Sequence, residues 1–363
     1  MKKLFALLLV GAMSISLLAG CGNSGNGAAE GEKAPQETGE DAGGAASSDD
    51  AEAPAKDDAE APEDTASSDS PLIGISVPKA VTGWTAAVSY YAEKYCEDNN
   101  LNYKLVQAES TNDQANQVDD LIGMKPAAIV LLPINDELAT AAQTILDAGI
   151  PLINFDRTLG GVTPDYYLAG DNPGCGKNGA DWMVEQLGED FTVVVCSVTS
   201  WGAIAEERKE GFETRLAEIA PNAKVLNEYA SESASQEDGL KLMADVLQSN
   251  PEVDAVFCVD DEQGVGILQA INEAQRTDIK AVYAAGGGAT NYLNKIEEGS
   301  GDMAIATVSY YPSMIADSIK LAVDVLAGEG SYEAKTIEEA VVIDKTNLEE
   351  WKSSIGYDPN SPY

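Results

Sequence analysis

Asp156 and Arg157 stand side by side after a short apolar run, Ile150-Pro-Leu-Ile-Asn-Phe155. A carboxylate only accepts hydrogen bonds, and a guanidinium only donates them, from a planar fork. Together they can bridge neighbouring hydroxyls on one small molecule. The plain alternative is a surface ion pair worth about 0–1 kcal/mol. Position weighs against that alternative, because open α/β sheets bind ligands just past the carboxyl ends of their strands.

Other residues hold comparable positions. Trp84 begins a helical stripe (Trp84, Val88, Tyr91, Tyr95) just beyond the strand Leu72–Val77, with Thr82 and Thr85 beside it. An aromatic face there can cover the C–H face of a ring ligand, although the same stripe is also how a helix packs. Trp201 lies in the loop Ser200-Trp-Gly202 after the strand Phe191–Val198. Arg208 sits near the start of the helix Ala205–Ile219, within Glu206-Glu-Arg-Lys-Glu210, which could equally be a solvated, ion-paired face; its neighbour Lys209 is expected in solvent. Asp260 and Asp261 end the strand Val253–Val259. Aspartate is a good helix N-cap, so one is expected to cap while the other faces the cleft.

The composition excludes much else. The 363 residues contain no histidine, which removes Ser-His-Asp and Cys-His chemistry and every His-ligated metal site. Five cysteines (21, 96, 175, 196 and 258) form no C-x-x-C pair, and Cys196 and Cys258 lie in apolar runs typical of buried thiols. A net charge of −39 excludes the basic stripe of a nucleic-acid surface. No cofactor is expected. Gly174-Cys-Gly-Lys-Asn-Gly179 spells a dinucleotide fingerprint. It follows the wrong strand, however, and no acidic residue ends the next one. Gly286-Gly-Gly288 could cradle an anion in its backbone N–H groups, or be a plain loop.

The elements that must position these residues alternate strand and helix. Strands are expected at 72–77, 103–107, 127–132, 151–153 and 166–170, then at 191–198, 224–229, 253–259, 279–283 and 303–308. Helices are expected at 113–124, 137–148, 205–219, 236–247, 264–274 and 312–326, besides the Trp84 stripe. Repeated βα units imply parallel sheets covered by helices on both sides. Two series imply two lobes with a cleft between them.

Before the body, Lys2 and Lys3 precede an apolar run, Leu4–Leu18, shorter than a comfortable membrane span. The ending Leu18-Ala-Gly-Cys21 resembles the bacterial lipobox, which implies that residues 1–20 are a signal peptide and that Cys21 carries lipid. Residues 21–70 are Gly, Ala, Ser, Glu, Asp and Pro with few large apolar side chains. Such a stretch cannot offset its own ordering entropy. It is expected to be a disordered acidic linker reaching roughly 35–40 Å r.m.s. or more.

From Leu72 onward the chain resembles the ribose- and galactose-type periplasmic sugar-binding proteins, the substrate-binding components of ABC importers. The cues, in order, are Ile73-Gly-Ile-Ser-Val77, Asp113-Gln-Ala-Asn-Gln-Val118, Gly149-Ile-Pro-Leu152 with Asp156-Arg157, Gly170-Asp-Asn172, Arg208-Lys-Glu-Gly-Phe212, and Ala255-Val-Phe257 with Asp260-Asp-Glu262. The resemblance implies two Rossmann-like α/β lobes with parallel sheets, joined by a three-crossover hinge, the type I periplasmic-binding fold. The first lobe would be 71–171 completed by about 311–340, and the second 172–310 completed by about 341–363. It carries ligand roles onto Trp84, Thr82, Thr85, Asp156, Arg157, Arg208 and Asp260. Ala285 departs from the usual aspartate, Tyr310 from a glutamine-like group, and Ala234 from a second aromatic. Trp201 or Tyr310 could then supply the second stacking face.

The implied protein is a monomeric extracytoplasmic sugar receptor, lipid-anchored on the outer face of the cytoplasmic membrane and serving an ABC permease. It would be neither an enzyme nor a metal protein. The alternatives are a sensory receptor that presents its ligand to a membrane sensor, and a nucleoside receptor of the same fold.

Overall fold

The computed structural model describes residues 70–81 and 83–363. The leader, Cys21, the linker up to residue 69, and Thr82 lie outside the described residues. The first series of elements is β1 (Ile73–Pro78), α1 (Gly83–Asp98), β2 (Tyr103–Ala108), α2 (Thr111–Gly123), β3 (Ala128–Leu131), α3 (Ala139–Asp147), β4 (Leu152–Phe155) and β5 (Tyr166–Gly170). The second is α4 (Asn172–Leu187), β6 (Thr192–Val198), α5 (Ala203–Ile219), β7 (Lys224–Ser231), α6 (Gln236–Ser249), β8 (Ala255–Cys258), α7 (Asp261–Glu273), β9 (Ala281–Ala284), α8 (Thr290–Glu298) and β10 (Ala304–Val308). Then come α9 (Met314–Ala327), β11 (Lys335–Glu338), β12 (Val342–Asp344) and α10 (Leu348–Ser354).

These strands form two six-stranded sheets, ordered β11-β5-β4-β3-β1-β2 and β12-β10-β9-β8-β6-β7. Only β12 runs antiparallel, against β10. The chain passes between the sheets at residue 171, at 309–313 and at 339–341. α4 packs on the second sheet, while α9 returns to cover β3, β4 and β5 of the first.

Strand β3 explains the layering. Ala128, Val130 and Leu132 face one apolar cluster, and Ile129 and Leu131 face another with Leu121, Leu138 and Ile145. A strand buried on both faces must be apolar on both, and it needs helices on both sides. Local signals start the helices. Ser110 caps α2 by accepting from the Asp113 N–H at 3.1 Å, a bond worth about 1 kcal/mol. Gln114, fully buried on α2, donates to the Leu132 carbonyl at 2.8 Å and accepts from the Ile134 N–H at 2.8 Å. It thereby pins the loop after β3.

The glycines of the fingerprint lie inside α4, not in a phosphate loop. A Cβ on Gly176 would sit 1.8 Å from the Arg208 carbonyl oxygen, and one on Gly211 would sit 2.2 Å from that of Pro173. They are spaced for close contact between α4 and α5. The sequence reading gave no range to α4, touched only through its glycine fingerprint, and four further elements were absent from it: α8, α10, β11 and β12. Each of these four is nine residues or shorter, too short for a clear period.

Beyond α10 the chain crosses back towards the first series. Thr290, at the start of α8, donates to the Tyr363 carbonyl at 2.8 Å, and its hydroxyl lies 2.8 Å from that of Tyr357. On the other side, Tyr90 of α1 donates to Asp358 at 2.7 Å and the Gly83 N–H to the Pro362 carbonyl at 3.1 Å.

Candidate functional site

On the first sheet, Asp156 follows β4 with φ +64°, a left-handed conformation uncommon outside glycine but better tolerated by Asp than by most residues. Its N–H donates to Leu168 at 2.8 Å, and its carbonyl accepts from the Tyr167 hydroxyl at 2.6 Å. These bonds to β5 fix the turn and aim the carboxylate. The side chain is 7% exposed, with one oxygen 4.0 Å from Arg157 Nε. Burial raises its pKa, opposed by the Tyr310 hydroxyl and by the Arg157 and Arg208 charges.

Arg157 turns towards the loop that Gln114 pins. Its guanidinium donates to the Ile134 carbonyl at 2.8 Å and to that of Pro133 at 3.3 Å, with the side chain 31% exposed. Trp84, half-buried in the first turn of α1, stacks on Phe155 with ring centroids 6.0 Å apart and planes 7° from parallel. Its indole N–H donates to the Tyr310 carbonyl at 2.9 Å. Thr85 is half-buried beside it.

On the second sheet, Arg208 is 3% exposed on α5. It donates to the carbonyls of Ala285 at 2.6 Å, Val259 at 3.0 Å and Gly286 at 3.2 Å, and to Asn172 Oδ1 at 3.0 Å. It therefore ties together the carboxyl ends of β8 and β9 and the start of α4. Trp201, half-buried in a short 3-10 turn, lies with its ring centroid 5.6 Å from the Arg208 guanidinium carbon.

The aspartate pair divides its work differently from expectation. Asp260 is the cap, accepting from the Glu262 and Gln263 N–H groups at 2.8 and 3.2 Å. Asp261 turns away onto Thr307 and onto the N–H groups of Gly288 and Ala289, both at 2.7 Å. The glycine loop is indeed an anion cradle, and the anion is the protein's own carboxylate. Burial pushes Asp260 up to about 6, and burial together with Asp260 pushes Asp261 up to about 7. Lys209 also differs from expectation. With its side chain only 12% exposed, it bridges Glu206 at 2.7 Å and Glu228 at 2.8 Å, because this face of α5 meets β7.

Tyr310 joins the halves. It lies in the 309–313 crossing, 6% exposed, and its hydroxyl donates to Asp156 at 2.5 Å. Its ring centroid is 4.9 Å from the Arg208 guanidinium carbon and 6.1 Å from the Trp84 ring. Gly170 leaves room for that ring, since a Cβ there would come within 2.5 Å of it. Trp84, Asp156, Arg208, Trp201 and Tyr310 thus form one group at the strand ends, with Asp260 held within it by its cap. Arg157 stands at the rim, and Thr82 lies outside the described residues.

Asn172, Phe155 and Tyr363 also shape the site and were not singled out as site residues. Asn172 was visible in Gly170-Asp-Asn172, whereas Tyr363 reaches the Gly287 backbone from a region with no periodic signal. Two cavities, of about 600 and 410 Å³, lie elsewhere, beside Ile150 and Tyr332 and between Leu240 and Arg276. Neither is lined by Asp156, Arg208 or the aromatic rings beside them. Among the described residues there is no cluster suited to a metal ion and no helix long and apolar enough to cross a membrane.

A family profile described as a periplasmic binding protein domain matches residues 73–330. The ribose import binding protein of Salmonella typhimurium is 30% identical over 242 residues, 64% of this chain and 78% of that protein. The xylitol-binding protein of Mycolicibacterium smegmatis is 29% identical over 245 residues, 65% of this chain and 67% of that protein. Among solved structures, an ABC transporter periplasmic solute binding protein from Actinobacillus succinogenes with bound D-allose superposes with a TM-score of 0.67. It is 21% identical, over 77% of this chain and 99% of that one.

Proposed function

The chain belongs to the periplasmic binding protein family, and on that premise we propose that it is an extracytoplasmic receptor that binds a sugar between its lobes and delivers it to an ABC permease. The observation that carries this reading is the set Trp84, Asp156, Arg208 and Tyr310, drawn together from two sheets and the crossing between them. A sugar offers hydroxyls that both donate and accept, so it suits an acceptor-only carboxylate beside a donor-only guanidinium. Its C–H faces suit the Trp84 or Trp201 ring. The names of the relatives, for ribose and xylitol, support the same class of ligand.

With contacts from both lobes, a ligand favours the closed arrangement by its differential affinity, and closure is what a permease can read. In this reading the first lobe runs 71–171 with 311–340, and the second 172–310 with 341–363. Asp260, Arg157, Thr82 and Thr85 border the ligand. Cys21 carries the lipid that anchors a monomer outside the cytoplasmic membrane, with residues 22–70 as tether. A thermal-shift screen against sugars, polyols and nucleosides tests the binding claim. A ligand at a hundred times its Kd should stabilise the protein by about 2.7 kcal/mol. A response to nucleosides alone would replace the sugar with a nucleoside, and silence across the panel would end the reading. Intact-mass measurement of the mature chain tests the anchor: an unmodified Cys21 refutes it.

A further inference from the structure

Tyr310 makes, from within the protein, the contacts that the proposed function assigns to a ligand. Its hydroxyl donates to Asp156 at 2.5 Å, its ring lies 4.9 Å from the Arg208 guanidinium carbon, and the Trp84 ring is 6.1 Å away. A phenol resembles a sugar in the relevant respects: a ring with apolar faces and a hydroxyl at its edge. We propose that Tyr310 is a built-in partial occupant of the cleft. It would restrict the site to compact ligands, five-carbon sugars or polyols, and exclude six-carbon sugars. This rests on the sugar-binding reading and names the class of sugar.

Three features support an occupant over a wall residue. The first is its place in the chain. Tyr310 lies on the crossing between β10 and α9, so its ring belongs to neither sheet and stands between the groups that each presents. The second is its fixation. Trp84 donates to its carbonyl at 2.9 Å, and the ring rests on Gly170, where any Cβ would collide with it at 2.5 Å. With its backbone held by Trp84 and its hydroxyl on Asp156, the ring cannot swing aside to admit a larger guest without breaking the Asp156 bond. The third is the chemistry consumed. One Asp156 oxygen is taken by the phenol, and one face of the Arg208 guanidinium is covered by the ring, so a guest meets both charges already half-engaged. A small sugar can use what remains. A larger one needs the space that Tyr310 fills.

The test uses the full chain and two variants, Tyr310→Gln and Tyr310→Ala, with their melting temperatures as the check on folding. Calorimetry with D-ribose and xylitol as five-carbon probes, and with D-allose and D-galactose as six-carbon probes, gives an affinity ratio for each protein. The parent should favour the five-carbon probes, and Tyr310→Gln should move the ratio at least tenfold towards the six-carbon ones. A parent that favours hexoses, or a ratio unchanged in Tyr310→Gln, overturns the proposal. A uniform loss with all four probes also overturns it, since that marks a direct contact and not an excluded volume. Small-angle scattering without any sugar decides separately, even where no probe binds the parent and the sugar reading itself fails. Tyr310 shared between Asp156 and Arg208 holds the lobes together, so Tyr310→Ala should enlarge the radius of gyration. An unchanged radius in a folded Tyr310→Ala protein overturns the occupant. Should Tyr310→Gln fail to fold, Tyr310→Phe, which removes only the hydroxyl on Asp156, takes its place. It should tighten five-carbon binding several-fold, and weaker binding overturns the proposal.

Discussion

In the second lobe, the Arg208 guanidinium is bound to three carbonyls and the Asn172 side chain of its own lobe. In the first, the Asp156 carboxylate is held on a left-handed residue and receives the hydroxyl of Tyr310, which belongs to the crossing. Arg208 is therefore part of the scaffold, whereas Asp156, a ligand contact in the proposed function, is set on a finished scaffold. A buried donor with its acceptors in place costs little to keep and much to remove. An acceptor with capacity left over gains most when a guest supplies donors. Loss of function on mutation consequently means different things in the two lobes.

The sharpest break of this comparison is Arg208→Ala. It strands the carbonyls of Val259, Ala285 and Gly286 at the strand ends, and should lower the unfolding free energy by about 3 kcal/mol or more and abolish binding. A urea melt that overlays the parent's would remove the distinction between the lobes. Next in size is Asp156→Asn, which keeps a residue that accepts positive φ but loses the charge. Sugar affinity should fall about ten- to a hundredfold, since bonds to charged groups contribute about 1.5–3 kcal/mol, while the melt moves by less than about 1 kcal/mol. Calorimetry beside the same urea melt separates the two effects.

The third expectation concerns pH and sharpens the second-lobe side. Asp260 and Asp261 have folded values raised to about 6 and about 7, chiefly by burial. A raised acid contributes stability that is complete below its unfolded value, about 3.9, and is lost as pH rises through the folded value. These two groups should make the protein less stable at pH 8 than at pH 5. Asp261→Asn should flatten that fall between about pH 4 and pH 7, the window between its unfolded and folded values. An unfolding free energy measured at half-unit intervals checks it, and a steeper fall in the variant contradicts it. The smallest effect is expected for Arg157→Ala. This guanidinium is partly exposed and tied to the Ile134 carbonyl, so its loss should weaken sugar binding by no more than about fivefold.

The asymmetry between the lobes was only partly legible in the sequence. The βα alternation placed Asp156, Trp201 and Asp260 near strand ends, because a strand buried on both faces is a continuous apolar run that stops where the chain turns. Nothing in Glu206-Glu-Arg-Lys-Glu210 separated the buried Arg208 from a solvated one. Its burial is set by α4, drawn close through Gly176 and Gly211, and the first of these spelled part of a nucleotide fingerprint. The roles of Asp260 and Asp261 depended on which of two neighbours faced a glycine loop, a matter of backbone direction that spacing does not encode. Tyr310 was noticed as a departure from a resemblance. Its hydroxyl's partner lies 154 residues away, and only the crossing brings the two together.

Residues 357–363 add a mechanical consequence. A hinge of three covalent crossings already limits the lobes to a few soft motions. The returning segment makes a fourth line across the same gap, fastened by Thr290 on one bank and by Tyr90 and Gly83 on the other. Covalent crossings resist stretching at every amplitude, but a hydrogen-bonded one yields at a threshold. Small swings leave all four fastenings intact. A swing wide enough to part Gly83 from Pro362 must break that bond, and Gly83 is the residue before Trp84. The segment is thus a hydrogen-bonded strap beside the covalent hinge, and its Gly83 fastening lies next to the Trp84 ring.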